Sequence, residues 1–177
     1  MKKILIIHDQ MLTKGGSERV FTYLADTFSN ADLFTLTYNK KTSLDFSRSN
    51  DLKVSNFFNF LIRNSTTFKF LFPLTTYYFQ FKNFKDYDLI ISSSATCAKY
   101  IRNFSGKHIC YCYVPTRAIW EIDNYFPKNS IIKTLFKFLL PYFKSRDLKT
   151  ANYIDLYIGD SKDAARRIKK TYFKNAK

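Results

Sequence analysis

Lys3-Ile4-Leu5-Ile6-Ile7, running into His8-Asp9 and then Gly15-Gly16-Ser17-Glu18-Arg19-Val20, is the stretch on which the fold turns. A short apolar run rich in isoleucine, ended by polar residues, reads as a buried strand leading into a loop. Ser17 can cap a helix whose apolar positions, Val20, Phe21, Leu24, Ala25 and Phe28, are spaced for one helical face. The chain therefore opens as strand, glycine corner, helix.

The same alternation continues outward. Ala31–Thr37 and Leu52–Asn56 read as the second and third strands. Asp88–Ser92 reads as a fourth, followed by a Ser-rich turn and a small helix to Ile101. His108–Val114 is the next strand, stopped by Pro115. A helical stretch from about Ser130 to Ala151 follows, with Pro141 expected to kink it. Ile154–Ile158 is the last strand, and Asp160-Ser161 starts an amphipathic helix through Tyr172, with Ser161 most simply its N-cap. Strands alternating with helices, without tight hairpin turns, imply an α/β fold: a doubly wound, mainly parallel, Rossmann-like sheet in one domain over residues 1–177.

Composition supports a packed domain. Hydrophobic residues make up 46% of the 177, too many for a disordered chain. Lys and Arg number 29 against 14 Asp and Glu, a formal charge of +15, which favours an anionic partner: nucleic acid, an acidic membrane surface or a phosphorylated substrate. Nucleic acid is the least favoured of these, because no binding module is visible. Cys97, Cys110 and Cys112 are odd in number and lack paired spacing, so they read as buried thiols in a reducing compartment. They lack companions for a metal site, and neither metal nor cofactor is expected. The opening apolar run breaks at His8-Asp9, so no secretory leader is expected. No stretch approaches the roughly 18–20 apolar residues needed to span a bilayer.

In a doubly wound sheet, ligands bind at the carboxyl ends of the strands, where helix amino-termini present N–H groups to anions. Gly15 and Gly16 at the first such turn are either a tight turn or a place where phosphate or sugar approaches the backbone. The pattern is not the G-x-G-x-x-G of dinucleotide binding, which weighs against an NAD site.

His8-Asp9 with Gly15-Gly16-Ser17-Glu18-Arg19-Val20 resembles the opening of the family 4 glycosyltransferases. Three further blocks match in order. Tyr87–Ser94, continued by Ala98-Lys99, resembles the family's strand before a Ser-rich loop. His108–Cys112, with Pro115, Arg117 and Trp120-Glu121, resembles a signature of a mannosyltransferase-like subgroup. Asp160-Ser161 with Ala165–Lys170 and Tyr172 resembles that subgroup's last helix. The resemblance implies the amino-terminal, acceptor-side half of a two-domain GT-B enzyme, with the donor-binding carboxy-terminal domain absent from these 177 residues. It implies a retaining transfer of a sugar, mannose by the subgroup, from a nucleotide-sugar donor to a lipid-linked or polysaccharide acceptor. The place would be the cytoplasmic face of the cytoplasmic membrane. The alternative is a truncated or split product, inert alone and active only with a separate donor-binding chain.

The resemblance also selects residues. The family places a histidine after the fifth strand, and Tyr113 stands in that slot; either the phenol serves there or activity is lost, because a group with a pKa near 10 cannot exchange a proton as imidazole does near neutrality. Tyr113 and Asp9 are the catalytic candidates, Asp9 orienting His8 or an acceptor hydroxyl unless it is a plain strand-end acid. Gly15, Gly16, His8, Ser94, Arg117 and Glu121 are the substrate-binding candidates. Arg117 can pair with a phosphate or form a surface salt bridge, and Glu121 can accept from an acceptor hydroxyl or lie on a helix surface. His108 reads as a structural hydrogen-bonder.

Phe57–Tyr87 contains 12 aromatic residues, mixed with Lys69, Lys82 and Lys85. Cations beside aromatics suit an interfacial segment on an acidic bilayer, whereas core packing of the rings is the plain alternative. Phe72, Lys82 and Lys85, with Arg166, Lys169 and Lys170 from the last helix, are the membrane-facing candidates.

Overall fold

A computed structural model describes residues 2–126 and 131–177. Its frame is a six-stranded sheet: β1 (Ile4–His8), β2 (Asp32–Thr35), β3 (Leu52–Val54), β4 (Leu89–Ser94), β5 (Lys107–Cys112) and β6 (Leu156–Gly159). The spatial order is β3-β2-β1-β4-β5-β6, and every pairing is parallel. Ile6 stands level with Leu33 on one side and Ile91 on the other, fixing the register of the centre.

Alternation along β1 explains why both sheet faces are covered. Leu5 and Ile7 pack with Leu12, Phe34, Phe58, Phe79 and Tyr100 on one face. Ile6 packs on the other with Phe21 and Ala25 of α1 (Gly16–Thr27). A strand buried on both sides reads as continuously apolar, and Leu5–Ile7 does. Arg48 closes the far end of α1, donating to the carbonyls of Ala25 (2.8 Å), Phe28 (3.1 Å) and Ala31 (2.6 Å). A guanidinium there satisfies terminal carbonyls and complements the helix dipole.

The aromatic stretch folds into three short helices, α2 (Asn56–Leu61), α3 (Ser65–Phe70) and α4 (Phe72–Phe81). Phe58, Phe68, Phe72, Phe79 and Phe84 are buried. Phe72 is at 0% exposure and packs with Ile119, Ile122, Phe136 and Phe143, so its membrane-facing reading is corrected: it is core. Lys82 is half-buried, its ammonium 5.1 Å from the Phe34 ring centre and 5.4 Å from that of Tyr78, a cation held on aromatic faces.

Among the described residues of the β5-to-β6 crossover lie four helices: α5 (Arg117–Trp120), α6 (Ile122–Tyr125), α7 (Ile131–Phe138) and α8 (Leu140–Ala151). Pro141 does more than kink the expected helix. It occupies the first turn of α8, where its missing N–H costs nothing, so the chain breaks at Leu139 and restarts. The expected start at Ser130 lies outside the described residues. The last helix, α9 (Lys162–Tyr172), is capped by Ser161, whose hydroxyl accepts from the Ala164 N–H at 3.1 Å. The expected cap at Ser17 is corrected: Gly15 is the N-cap of α1, and the Ser17 hydroxyl donates to Glu18 at 2.8 Å. The small helix before Ile101 is a single 3-10 turn, Ala98–Tyr100.

Candidate functional site on the carboxyl rim

The chain order reverses between β1 and β4, and in open parallel sheets the crevice at such a switch point is where ligands bind. Asp9 follows β1 there. Its carboxylate turns into the loop after β4 and accepts from five groups: the N–H of Ala95 (2.7 Å), Thr96 (2.8 Å), Cys97 (2.8 Å) and Ala98 (2.6 Å), and the Ser94 hydroxyl (3.1 Å). A concavity of backbone N–H groups is an anion trap, and here the chain fills it with its own anion. Asp9 is 4% exposed and Ser94 fully buried. Both site assignments therefore change: Asp9 holds the Ser-rich loop, and Ser94 points inward to it rather than toward a substrate.

A second group of hydrogen bonds links β1, β4, β5 and α1. His8 Nδ1 lies 2.9 Å from the Ser93 carbonyl and 3.0 Å from its hydroxyl. The Ser93 hydroxyl is 2.7 Å from the Tyr113 hydroxyl, which donates to the Ser17 carbonyl at 3.1 Å. Run in one direction, these bonds put the imidazole proton on Nδ1, with Ser93 donating to Tyr113. The His8 ring stacks on Phe21, centres 5.3 Å apart. Burial lowers its pKa against the opposing pull of Asp9 and Glu18, so the imidazole is neutral near neutral pH. Burial raises the Tyr113 pKa, which keeps the phenol protonated. With both bonds engaged, Tyr113 ties β5 to the start of α1 and has no proton to exchange near neutrality. Ser93, the link between the two, was not singled out from sequence; Ser92, Ser93 and Ser94 differ only in where each side chain points.

The glycine corner stands beside this chain of bonds. Glu18 is buried and accepts from the hydroxyls of Thr13 (2.6 Å) and Ser17 (2.8 Å). A Cβ on Gly15 would come within 2.5 Å of Glu18 Oε2, so Gly15 makes room for that carboxylate. A Cβ on Gly16 would meet nothing within 4 Å, so the first turn of α1 faces open space. Of the two glycines, Gly16 is the one with space for a ligand.

Arg117 and Glu121 lie farther along the rim. Arg117 Nε meets Glu121 Oε2 at 3.2 Å, and Arg167 bonds both Glu121 Oε1 (2.5 Å) and Asp163 (2.7 Å). Glu121 thus lies between two guanidiniums. Beside it a hollow of about 330 Å³ opens between the ends of β5 and β6, lined by Tyr113, Arg117, Asp160 and Ser161 among others. Lys85, Arg166, Lys169 and Lys170 are exposed.

His108 is buried, with Nε2 2.8 Å from the Ser92 hydroxyl, a structural hydrogen-bonder as expected. Behind the rim lies a network that carries no local sequence signal. Asp147 of α8, fully buried, accepts from Tyr100 (2.6 Å), Trp120 (2.6 Å), Tyr172 (2.8 Å) and Thr116 (3.2 Å), with the buried Lys99 ammonium 3.6 Å away. Among the described residues no group of three or more His, Cys, Asp or Glu side chains is arranged to hold a metal.

Comparison of the chain with models of known protein families, with curated proteins and with solved structures returned no match.

Proposed function

We propose that this chain is the acceptor-side wall of a GT-B sugar transferase, working opposite a donor-binding half. The reading takes the reaction as transfer of a sugar, mannose by the resemblance, from a nucleotide-sugar to a lipid-linked or polysaccharide acceptor at the inner face of the cytoplasmic membrane. One observation carries it: the open first turn of α1 at Gly16, the His8–Ser93–Tyr113 chain and the Arg117 guanidinium lie on the carboxyl rim of one parallel sheet, at and beside its switch point. Helix N–H groups and a rim guanidinium suit a phosphate-bearing ligand without a metal. No described helix is long and apolar enough to cross a membrane, which agrees with a peripheral placement.

A specific observation favours the second reading, a half that binds but does not catalyse by itself. The carboxylates of Asp9, Glu18 and Glu121 are all engaged by protein donors, and the Tyr113 phenol stays protonated. Titrating the chain separately with a polyprenyl-phosphate-linked sugar and with UDP- and GDP-sugars tests both. The acceptor-side reading expects binding of the former and little of the latter. Tight nucleotide-sugar binding without acceptor binding would overturn it, and turnover by the chain alone would overturn the second reading.

A further inference from the structure

α7 buries one face and leaves large apolar side chains on the other. Its inward face carries Lys133, buried and bonded to Asp123 at 3.0 Å, and Phe136, which packs among Phe72, Phe126 and Phe143. Its outward face carries Ile131 at 87% exposure, Leu135 at 58% and Phe138 at 82%; Tyr142, in the first turns of α8, stands at 52%. Within α7 the spacing of 131, 135 and 138 makes a single stripe on the helical surface, and Tyr142 lies exposed just past the break at Leu139. The Tyr142 hydroxyl touches that of Tyr77, joining the stripe to α4, where Leu74 and Phe81 are also exposed. Scattered apolar residues on a surface are ordinary, but a row of large exposed apolar side chains along one helix, with more beside it on the neighbouring helices, points to something that covers it.

The surrounding charge says what covers it. Of the Lys and Arg described between Asp123 and Asp147, Lys133 and Arg146 are buried, which leaves Lys137 and Lys144 toward the surface, and the sequence there holds no Asp or Glu. Lys137 lies half-exposed beside the stripe, sharing Asp123 with Lys133. Lys144 sits 5.1 Å over the Trp120 ring, and Trp120 shares a hollow with Lys170 of α9. Large apolar side chains edged by tyrosine, tryptophan and lysine are the chemistry of a helix lying in the headgroup layer. A second copy would bring the same formal charge of +15 against this one, and like charges oppose that contact.

We infer that the outward face of α7 and the start of α8 seat this protein on a bilayer of anionic lipids. The stripe enters the boundary between headgroups and acyl chains while the lysines stay with the phosphates. This rests on the peripheral placement proposed above and is independent of the sugar chemistry. It also moves the contact away from Phe72, which is core.

Sedimentation with vesicles of phosphatidylglycerol and phosphatidylcholine, against phosphatidylcholine alone, tests it without any sugar. The parent chain is expected to bind the anionic vesicles, and Leu135→Glu/Phe138→Glu to bind them at least about tenfold more weakly. Because both side chains are exposed, circular dichroism of that variant should match the parent. Phe57→Glu/Phe60→Glu, altering exposed rings on α2, should bind as the parent does. Unchanged binding by the Leu135→Glu/Phe138→Glu variant would overturn the assignment of α7 and leave membrane placement standing. Absence of binding by the parent would overturn both and leave the sugar-transfer reading untouched. A parent dimer abolished by the same substitutions, with no vesicle binding, would assign the stripe to a second copy instead.

Discussion

Asp9 Oδ1 receives the backbone N–H of Ala98 at 2.6 Å, across 89 residues of sequence, and that contact turns the Ser-rich loop into a fixed part of the rim. Four of the five groups around this carboxylate are main-chain N–H donors that no nearby secondary structure would otherwise satisfy. Asp9→Ala leaves them buried and unpaired, and the expected loss of folding stability is about 3–5 kcal/mol. Asp9→Asn keeps the shape but turns an NH₂ toward donors, so it should recover only part of the loss. Urea unfolding measures both. A loss under about 1 kcal/mol for Asp9→Ala would return Asp9 to the list of free cleft carboxylates.

Gly15 and Gly16 should respond to alanine in opposite ways. Gly15→Ala drives a methyl against Glu18, which can move only by giving up its bonds from Thr13 and Ser17, at an expected cost of about 1–2 kcal/mol. Gly16→Ala meets no atom and exchanges glycine for a better helix former, so stability should hold or rise by up to about 1 kcal/mol. If a ligand approaches the first turn of α1, Gly16→Ala should nevertheless weaken acceptor binding. Parallel unfolding and binding titrations separate the effects. Undiminished acceptor affinity in Gly16→Ala would take the glycine corner out of the site.

The Lys99–Asp147 pair should be unequal. Burial alone pulls the Lys99 ammonium toward neutrality, but Asp147 beside it, with Cys112, Tyr100 and Tyr157 acting in the same direction, carries its pKa above the ordinary value. Lys99→Met leaves Asp147 with four donors, so a loss of about 1–3 kcal/mol is expected. Asp147→Leu strands the ammonium and those donors together, for about 3–5 kcal/mol. Thermal or urea unfolding ranks the two, and the reverse order would mean that the ammonium, not the carboxylate, organises the network.

How much of this was legible in the sequence depends on whether each signal is local. Lys3–Ile7, Asp88–Ser92 and His108–Val114 each mark their strand to within two residues, because a parallel strand buried on both faces carries a short apolar run, Leu5–Ile7 in β1 and Leu89–Ile91 in β4, even where β4 ends in three buried serines. Phe57–Tyr87 concealed three helices because its aromatics surround each axis and leave no clean stripe to count. The rim residues were named, but not their directions. Asp9, Ser94 and Tyr113 all lie at the switch point, yet only coordinates show the first two bonded to each other and the third bonded to Ser93 and Ser17. Lys99 and Asp147 are ordinary surface-type residues in sequence, and nothing near either one announces that they meet in the core.

The two histidines should make the fold acid-sensitive over a defined range. Burial lowers the pKa of His108 to about 4, with Asp155 partly opposing, whereas in the unfolded chain it returns to about 6.5. Above pH 6.5 the imidazole is neutral in both states and the fold keeps its full stability. As pH falls from 6.5 toward 4, the unfolded chain takes up a proton that the folded one refuses, and stability drops by up to about 3 kcal/mol. Below 4 both states are protonated and this group adds no further change. His8, also lowered by burial, adds in the same direction. Urea midpoints from pH 7 to 4 should fall for the parent, and the slope should flatten in His108→Gln, whose amide can still reach the Ser92 hydroxyl. Equal slopes in parent and variant would mean that His108 is protonated inside the fold and that its burial does not control the acid response.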